Sequence, residues 1–232
     1  MKAKARIDAE RGATWAARGA LTLGLLSATL LVLLHGLEPE FDPSWRFISE
    51  YMLGQFGWMM HLSFFALAAS QMLCLVAVAR DIRVWYGYAG LAVLLVSGAG
   101  IALAAVFTTD PITAGYQSLS FSGTMHVLGA SLDYTPVAAV LLSLALLRQP
   151  AWKRIRVRLL SAAVFSFLSM VAFMVSLPPD GTFGPGVGAG LVGRVLVLSY
   201  VVWISVVSLH IVSLSPGRKA QGAEASVAPP YP

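Results

Sequence analysis

Six long apolar runs leave this sequence few folds to adopt. They cover residues 15–34, 58–79, 86–107, 123–147, 157–177 and 191–214. A helix of about 20 apolar residues spans the hydrocarbon core of a bilayer. Inside that core every backbone N–H and C=O group needs a partner, and a helix supplies one within a single segment. The sequence therefore predicts an all-α, polytopic membrane bundle with six transmembrane helices.

The charged residues support this fold and indicate an orientation. Only 12% of the residues are charged, against about 25% in soluble domains. Fourteen of the sixteen lysines and arginines fall at the two ends of the chain or in the loops after the second and fourth runs; Arg46 and Arg194 are the exceptions. Because basic loops tend to stay in the cytoplasm, we expect a multi-pass protein of the inner (cytoplasmic) membrane with both termini cytoplasmic.

The two ends of the chain differ in composition from the apolar runs. Residues 1–14 predict a basic cytoplasmic arm, and residues 215–232, which are small, polar and rich in proline, predict a disordered cytoplasmic tail. The transmembrane domain is expected over residues 15–214. The net charge of +5 comes from residues beside the membrane that are not interleaved with aromatic residues. We therefore expect contact with anionic lipid headgroups and no nucleic-acid partner.

The segment SGTMHVLGASLDY, at residues 122–134, is the first candidate for a functional site. It places His126 and Asp133 on one face of a helix, because they are seven residues apart. Gly129 lies between them, and small residues allow another helix to approach closely. Ionisable groups are costly in hydrocarbon, so their presence within a span suggests a function. Pro136 predicts a kink just beyond Asp133.

Further polar side chains fall at the same predicted ends of the helices. They are Ser49, Glu50, His61, Asp110 and Arg194. Helices in a bundle lie about 8–10 Å apart, so these ends are close enough to share a pocket. The deeper Asp133 needs a partner, for which the candidates are His126, Arg194, Tyr134 and the hydroxyl of Ser97. The loop before this group is expected to present a solvated acidic rim of Glu38, Glu40 and Asp42.

Three short segments also occur in a recognisable order. They are FISEYMLG at residues 47–54 followed by GW at 57–58, FTTDP at 107–111, and SGTMH at 122–126. This set resembles the DUF998 family of prokaryotic six-helix membrane proteins, whose function is unknown, so the resemblance implies a fold. The ISE segment is also similar to the Frag1/DRAM/Sfk1 group. Some members of that group are tied to lipid remodelling or distribution, which implies a lipid-related role.

An outward-facing polar pocket suits a ligand that lies in the membrane. We favour the binding or handling of a lipid or small amphiphile, with Arg194 on a headgroup phosphate and Ser49 and His61 beside it. Membrane lipids are thus the expected partners. Small residues on the third helix offer a face for close helix contacts, either within the chain or in a homo-oligomer.

An enzyme and a structural or accessory subunit are the alternatives. A lipid hydrolase or acyltransferase would use Asp110 or Glu50 with His126 as general acid and base, and Asp133 completes the candidate catalytic set. The imidazoles and carboxylates of this set are suitable zinc ligands, although no HExxH or HxxxH spacing supports a zinc site. Haem is disfavoured because His210 has no partner at its depth. A transporter is disfavoured because there is no sign of an inverted repeat.

Overall fold

A computed structural model describes residues 2–115 and 118–214. Two short 3₁₀-helices in these ranges cover Ile48–Leu53 and Ile112–Ala114. The α-helices are α1 (Lys2–Leu37), α2 (Gly57–Ala79), α3 (Trp85–Val106), α4 (Phe121–Ser131), α5 (Thr135–Leu146), α6 (Pro150–Lys153), α7 (Arg156–Ser176) and α8 (Ala189–Ser213). The predicted disordered tail at residues 215–232 lies outside the described residues.

Six helical segments of the described chain are long and apolar enough to cross a membrane. Four of them are the single helices α2, α3, α7 and α8. The first is the apolar part of α1, Ile7–Leu37, and the fourth is α4 and α5 together, Phe121–Leu146. These findings confirm the predicted all-α bundle with six membrane-spanning segments. The described residues of the predicted basic arm, 2–14, belong to α1 and continue it without a break.

The spans form a closed ring in chain order. Each packs against the next, from α1 on α2 to α7 on α8, and α8 returns to α1. The fourth span takes part in two halves, because α4 packs on α3 whereas α5 packs on both α3 and α7. Its two halves therefore have different neighbours.

α3 and α4 are in contact backbone to backbone. A Cβ atom added at Gly129 would lie 2.5 Å from the carbonyl oxygen of Gly100 and 2.6 Å from the amide nitrogen of Ala104. A Cβ atom at Gly100 would lie 2.5 Å from the carbonyl oxygen of Gly129. Both helices therefore require glycine at the crossing, and the close approach predicted for the face at Gly129 is confirmed.

The other glycines of α3 also face neighbouring helices of the same chain. Gly90 packs against Leu142 of α5, and Gly98 packs against Met72 of α2. Added Cβ atoms would crowd these side chains. The small-residue face of α3 is thus used within the chain, and a homo-oligomer stays a prediction.

The bundle has a long-loop end and a short-loop end. Residues 38–56, 107–120 and 177–188 connect the spans at the long-loop end, whereas residues 80–84 and 147–155 connect them at the short-loop end. At the short-loop end, Trp152 Nε1 donates a hydrogen bond to the Asp81 carboxylate (2.9 Å). The predicted site residues lie in the half of the bundle toward the long-loop end.

Candidate functional site

Arg194, near the start of α8, attaches the first long loop to the bundle. Its side chain is buried, with 5% of the residue exposed. Its nitrogens donate hydrogen bonds to the carbonyl oxygens of Arg46 (2.7 Å), Gly190 (3.0 Å) and Pro43 (3.1 Å), the Tyr51 hydroxyl (3.2 Å) and His35 Nε2 (2.7 Å). All three nitrogens of the guanidinium thus donate to groups of the protein itself. Arg194 therefore holds the backbone of the first long loop, residues 38–56, against the start of α8.

Glu50 links two of the long loops through its carboxylate. It is 1% exposed and accepts hydrogen bonds from Arg46 Nη1 (2.9 Å), the Phe47 N–H (3.2 Å) and the Ile112 N–H (2.9 Å). The first loop is thereby joined to the loop that follows α3. The paired Arg46 also balances the charge of this buried carboxylate.

Glu38 does not lie on a solvated rim, so that prediction was wrong for this residue. It is 1% exposed, and its carboxylate accepts a hydrogen bond from the Phe56 N–H (2.5 Å). The loop folds back over Glu38, and Gly54 lies against the carboxylate where a side chain would collide with it. Glu40 and Asp42 are exposed as predicted. Hydrogen bonds from the Ser44 N–H and hydroxyl lower the pKa of Asp42.

Two histidines bind the carbonyl groups at the C-terminal end of α3. His61 Nδ1 lies 2.7 Å from the Ala105 oxygen, and His126 Nδ1 lies 2.9 Å from the oxygens of both Ala104 and Phe107. A carbonyl oxygen only accepts hydrogen bonds, so both Nδ1 atoms carry the proton. The last carbonyls of a helix have no partner within it. The two imidazoles provide those partners.

Asp110 orders the start of α4. Its carboxylate accepts hydrogen bonds from the Ser120 N–H (2.6 Å) and the Ser120 hydroxyl (3.0 Å). Ser120 is the N-cap of α4, and its Oγ accepts a hydrogen bond from the Gly123 N–H (3.0 Å). Asp110 thus holds the capping residue that satisfies the first amides of the helix.

Asp133 lies where the fourth span is interrupted, between α4 and α5. Its Oδ1 accepts hydrogen bonds from the N–H (3.1 Å) and the hydroxyl (2.6 Å) of Thr135, and its Oδ2 accepts one from the Tyr200 hydroxyl (2.9 Å). Ser97 Oγ accepts the neighbouring Tyr134 N–H (2.9 Å), and Gln71 Nε2 donates to Thr135 Oγ1 (2.8 Å). The residues that bind Asp133 were therefore not among those considered from sequence. The kink expected from Pro136 is a complete break just before it.

We expect Asp133→Asn to fold and Asp133→Leu to be destabilised. Asparagine keeps an oxygen for Thr135 and offers an amide to Tyr200, so the loss in the free energy of unfolding should stay below about 1 kcal/mol. Leucine leaves the donors of Thr135 and Tyr200 without this partner and should lower the free energy of unfolding by about 2 kcal/mol. Thermal unfolding in detergent measures both. Equal destabilisation of the two variants would instead mean that the negative charge itself stabilises the fold.

A cavity of about 340 Å³ lies in the long-loop half of the bundle, between α4, α7 and α8. Its walls are mostly apolar: Val127 and Ala130 from α4, Met170, Phe173 and Met174 from α7, and Leu196 and Val197 from α8. Polar groups on these walls come from His126, Asp133 and Tyr200, and also from Ser49, Thr109, Ser131 and Tyr134. The interruption of the fourth span therefore places the Asp133 carboxylate on a largely apolar surface, where the Tyr200 hydroxyl of α8 meets it.

A second cavity, of about 70 Å³, adjoins the first at the long-loop end. The two share the lining residues Phe47, Ser49, Thr109 and Val127. The smaller cavity adds the polar side chains of Glu50 and Asp110. Together they form one site with a polar end toward the loops and an apolar body among the helices.

The cavities bring together five of the seven site residues predicted from sequence. Ser49, Glu50, Asp110, His126 and Asp133 line one cavity or both, whereas Arg194 and His61 line neither. Sequence reasoning missed Tyr200 and the apolar walls. Within the described ranges, no group of three histidine, cysteine, aspartate or glutamate residues is placed to hold a metal ion.

The fold and cavities define a multi-pass membrane protein with an amphipathic cavity in one half of its bundle. Residues 10–210 match the family described as "Protein of unknown function (DUF998)". Because the match covers most of the chain, the protein belongs to this family, as the ordered motifs suggested. Comparisons with curated proteins and with solved structures gave no match.

Proposed function

We propose that this protein binds one membrane amphiphile, with an apolar chain in the larger cavity and the polar head at the smaller one. The observation that carries the proposal is that the two cavities adjoin each other and share four lining residues. One compartment is walled by methionine, valine and phenylalanine, and the other is rimmed by Ser49, Glu50 and Asp110. That is the distribution of polarity found in an amphiphile.

The size and chemistry of the larger cavity support a bound chain. Its volume of about 340 Å³ lies within the range of roughly 300–1,000 Å³ that is usual for ligand pockets. Apolar cavities do not hold water well, because water there lacks hydrogen-bond partners. Flexible Met170 and Met174 suit chains of variable shape.

We assign the site to the outer leaflet of the cytoplasmic membrane. The supporting observation is the distribution of basic residues, fourteen of sixteen of which lie at the chain ends or the short-loop end. The positive-inside rule places that end in the cytoplasm. Both termini are then cytoplasmic, and the polar mouth faces outward.

Binding fits the hydrogen bonds better than catalysis does. Glu50 and Asp110, the candidate partners of His126 in acid–base catalysis, both bind backbone amides. His126 binds carbonyls through Nδ1–H and keeps Nε2 as an acceptor, but among the described residues no hydrogen bond joins it to either carboxylate. A general base needs a free acceptor within reach of the proton that it removes. A phosphate-binding role of Arg194 has little support, since its donors are bound to the protein. A headgroup would instead meet the hydroxyls and carboxylates of the mouth.

The test is a pair of tryptophan substitutions on α7. Met170 lines the larger cavity, whereas Leu168, two residues away, does not line it and is 58% exposed on the bundle surface. We expect Met170→Trp to fill the cavity and to abolish co-purification of lipid with the protein in detergent. Leu168→Trp should retain about one lipid per chain, as the unmodified protein does. Native mass spectrometry counts the retained lipid.

Two results would contradict this proposal. One is a wild-type protein that folds but retains no lipid under gentle extraction. The other is equal lipid retention by Met170→Trp and Leu168→Trp, because lipid would then be bound to the surface rather than in the cavity. Thermal unfolding of both variants checks that the cavity substitution has not unfolded the protein.

A further inference from the structure

The fourth span leaves one gap in the ring of helices. In the short-loop half, α5 packs on α7 and closes the ring. In the long-loop half, α4 packs extensively on α3 but has no comparable contact with α7 in the described chain. The break at residues 132–134 is the point at which the path of the fourth span changes. The larger cavity occupies the space between α4 and α7.

Residues on both sides of this gap line the cavity and are also exposed on the surface. From α4 these are Val127, which is 36% exposed, and Ser131. From α7 it is Met174, which is 54% exposed. The cavity is open to the outside, and exposed lining residues on both α4 and α7 place that opening between these helices. The cavity is therefore open sideways, between two membrane-spanning segments.

The surface around this opening is apolar. Leu128 on α4 and Val171 and Val175 on α7 are exposed beside it, and all lie within candidate membrane spans. An apolar surface at this depth contacts lipid chains rather than water. The opening thus faces the hydrocarbon of the bilayer.

Aromatic rings cover the route from the aqueous side. Phe47 lines both cavities and packs against Phe173 and Phe183, with ring centroids 5.8 and 5.2 Å apart. The loop that carries Phe47 is held by Glu50 and Arg194 through the hydrogen bonds described above. An apolar chain that arrives from water would have to displace this cluster, whereas one that arrives from the bilayer would not.

We infer that the ligand is a resident lipid of the bilayer, and that one of its acyl chains enters sideways between α4 and α7. This inference rests on the proposed function and adds the route and the ligand class. A diacyl lipid can place one chain in the cavity and leave the other in the bilayer through the same opening. A lipid does not have to leave the membrane to bind.

A cleavable cross-link across the opening tests this route. Ser131→Cys and Met174→Cys place one thiol on each side, and Cys74→Ala removes the native cysteine, which is buried. The full-length protein is joined in detergent with a disulfide-containing bis-maleimide and is then reconstituted in phosphatidylcholine vesicles. A phosphatidylcholine with a photoreactive diazirine in one acyl chain is then added. Mass spectrometry with localisation to single residues counts probe attached to buried residues of the cavity walls, such as Tyr200, which is 2% exposed.

We expect linking before the probe is added to lower attachment to these buried residues about tenfold, because the closed opening excludes the chain. Reductive cleavage of the linker should restore attachment. The single-cysteine variants treated with the same reagent are the controls and should label like the unlinked protein.

Each other result overturns one of the two proposals. Undiminished attachment in the linked protein would show entry from the aqueous side, past Phe47, and would leave lipid binding itself intact. Absence of attachment even in the unlinked protein would overturn the proposed function.

Discussion

Replacement of Arg194 by leucine is expected to release the first long loop and to destabilise the whole bundle. The guanidinium binds three backbone carbonyls, the Tyr51 hydroxyl and His35, and it is buried. Leucine supplies no donor, so several buried acceptors lose their partners at once. A buried acceptor that loses its partner typically costs about 1–3 kcal/mol, so for several acceptors together we expect Arg194→Leu to lower the free energy of unfolding by about 4–5 kcal/mol.

Thermal unfolding in detergent measures this effect, and limited proteolysis of residues 38–56 reports the release of the loop. Arg80→Ala is the matched control, because Arg80 is more exposed and its ion pair, with Asp81, lies at the surface. Loss of this side chain should lower the free energy of unfolding by about 1 kcal/mol or less. An Arg194→Leu protein that stays as stable as wild type but loses its lipid would contradict the positioning role. It would restore Arg194 as a ligand-binding residue.

The six spans could be predicted because their signal is local. Each run of about 20 apolar residues is sufficient by itself to indicate a membrane helix, and no knowledge of its neighbours is needed. The interruption of the fourth span is almost as local, since Pro136 stands just after Asp133. Proline restricts the residue before it as well, which favours a break there over a smooth bend.

The partners of Asp133 could not be predicted in the same way. Tyr200 binds it because of the rotation and depth of α8, which follow from packing against all the other spans. Thr135 is the exception, since an aspartate that binds the residue two positions on forms a local turn motif. Tyr200 stands within an ordinary apolar helix, and nothing in its neighbours marks it. Glu38 illustrates the converse case. Its sequence context is that of an exposed loop, but the loop folds back and buries it.

The cavity walls were missed for a different reason. Met170, Phe173 and Met174 have the same apolar character as the lipid-facing residues of α7, such as Leu168. A membrane helix is apolar on both its lipid-facing and its protein-facing sides. Composition therefore does not distinguish a residue that lines an internal cavity from one that faces lipid. The polar mouth was visible in the sequence because carboxylates and hydroxyls are rare in such helices.

Replacement of Gly129 by leucine is expected to separate α4 from α3. Even the Cβ atom would lie 2.5 Å from the Gly100 carbonyl oxygen and 2.6 Å from the Ala104 amide nitrogen, and backbone atoms cannot rotate aside. The helices would have to move apart, which also breaks the bonds from His126 to the end of α3. Overpacking of this kind typically costs about 1–3 kcal/mol. With the lost hydrogen bonds included, we expect Gly129→Leu to lower the free energy of unfolding by about 4 kcal/mol. Thermal unfolding in detergent measures this loss.

Gly12→Ala is the matched control, since Gly12 lies in α1 and no atom would come within 4 Å of an added Cβ. Alanine there should stabilise the helix by about 0.5–1 kcal/mol. The smaller substitution Gly129→Ala should give a stability between those of Gly12→Ala and Gly129→Leu. It should also reduce lipid retention, because displacement of α4 changes the width of the cavity that α4 shares with α7. Wild-type stability in Gly129→Leu would mean that α3 and α4 do not cross at these glycines, and the cavity between α4 and α7 would then lose its structural basis.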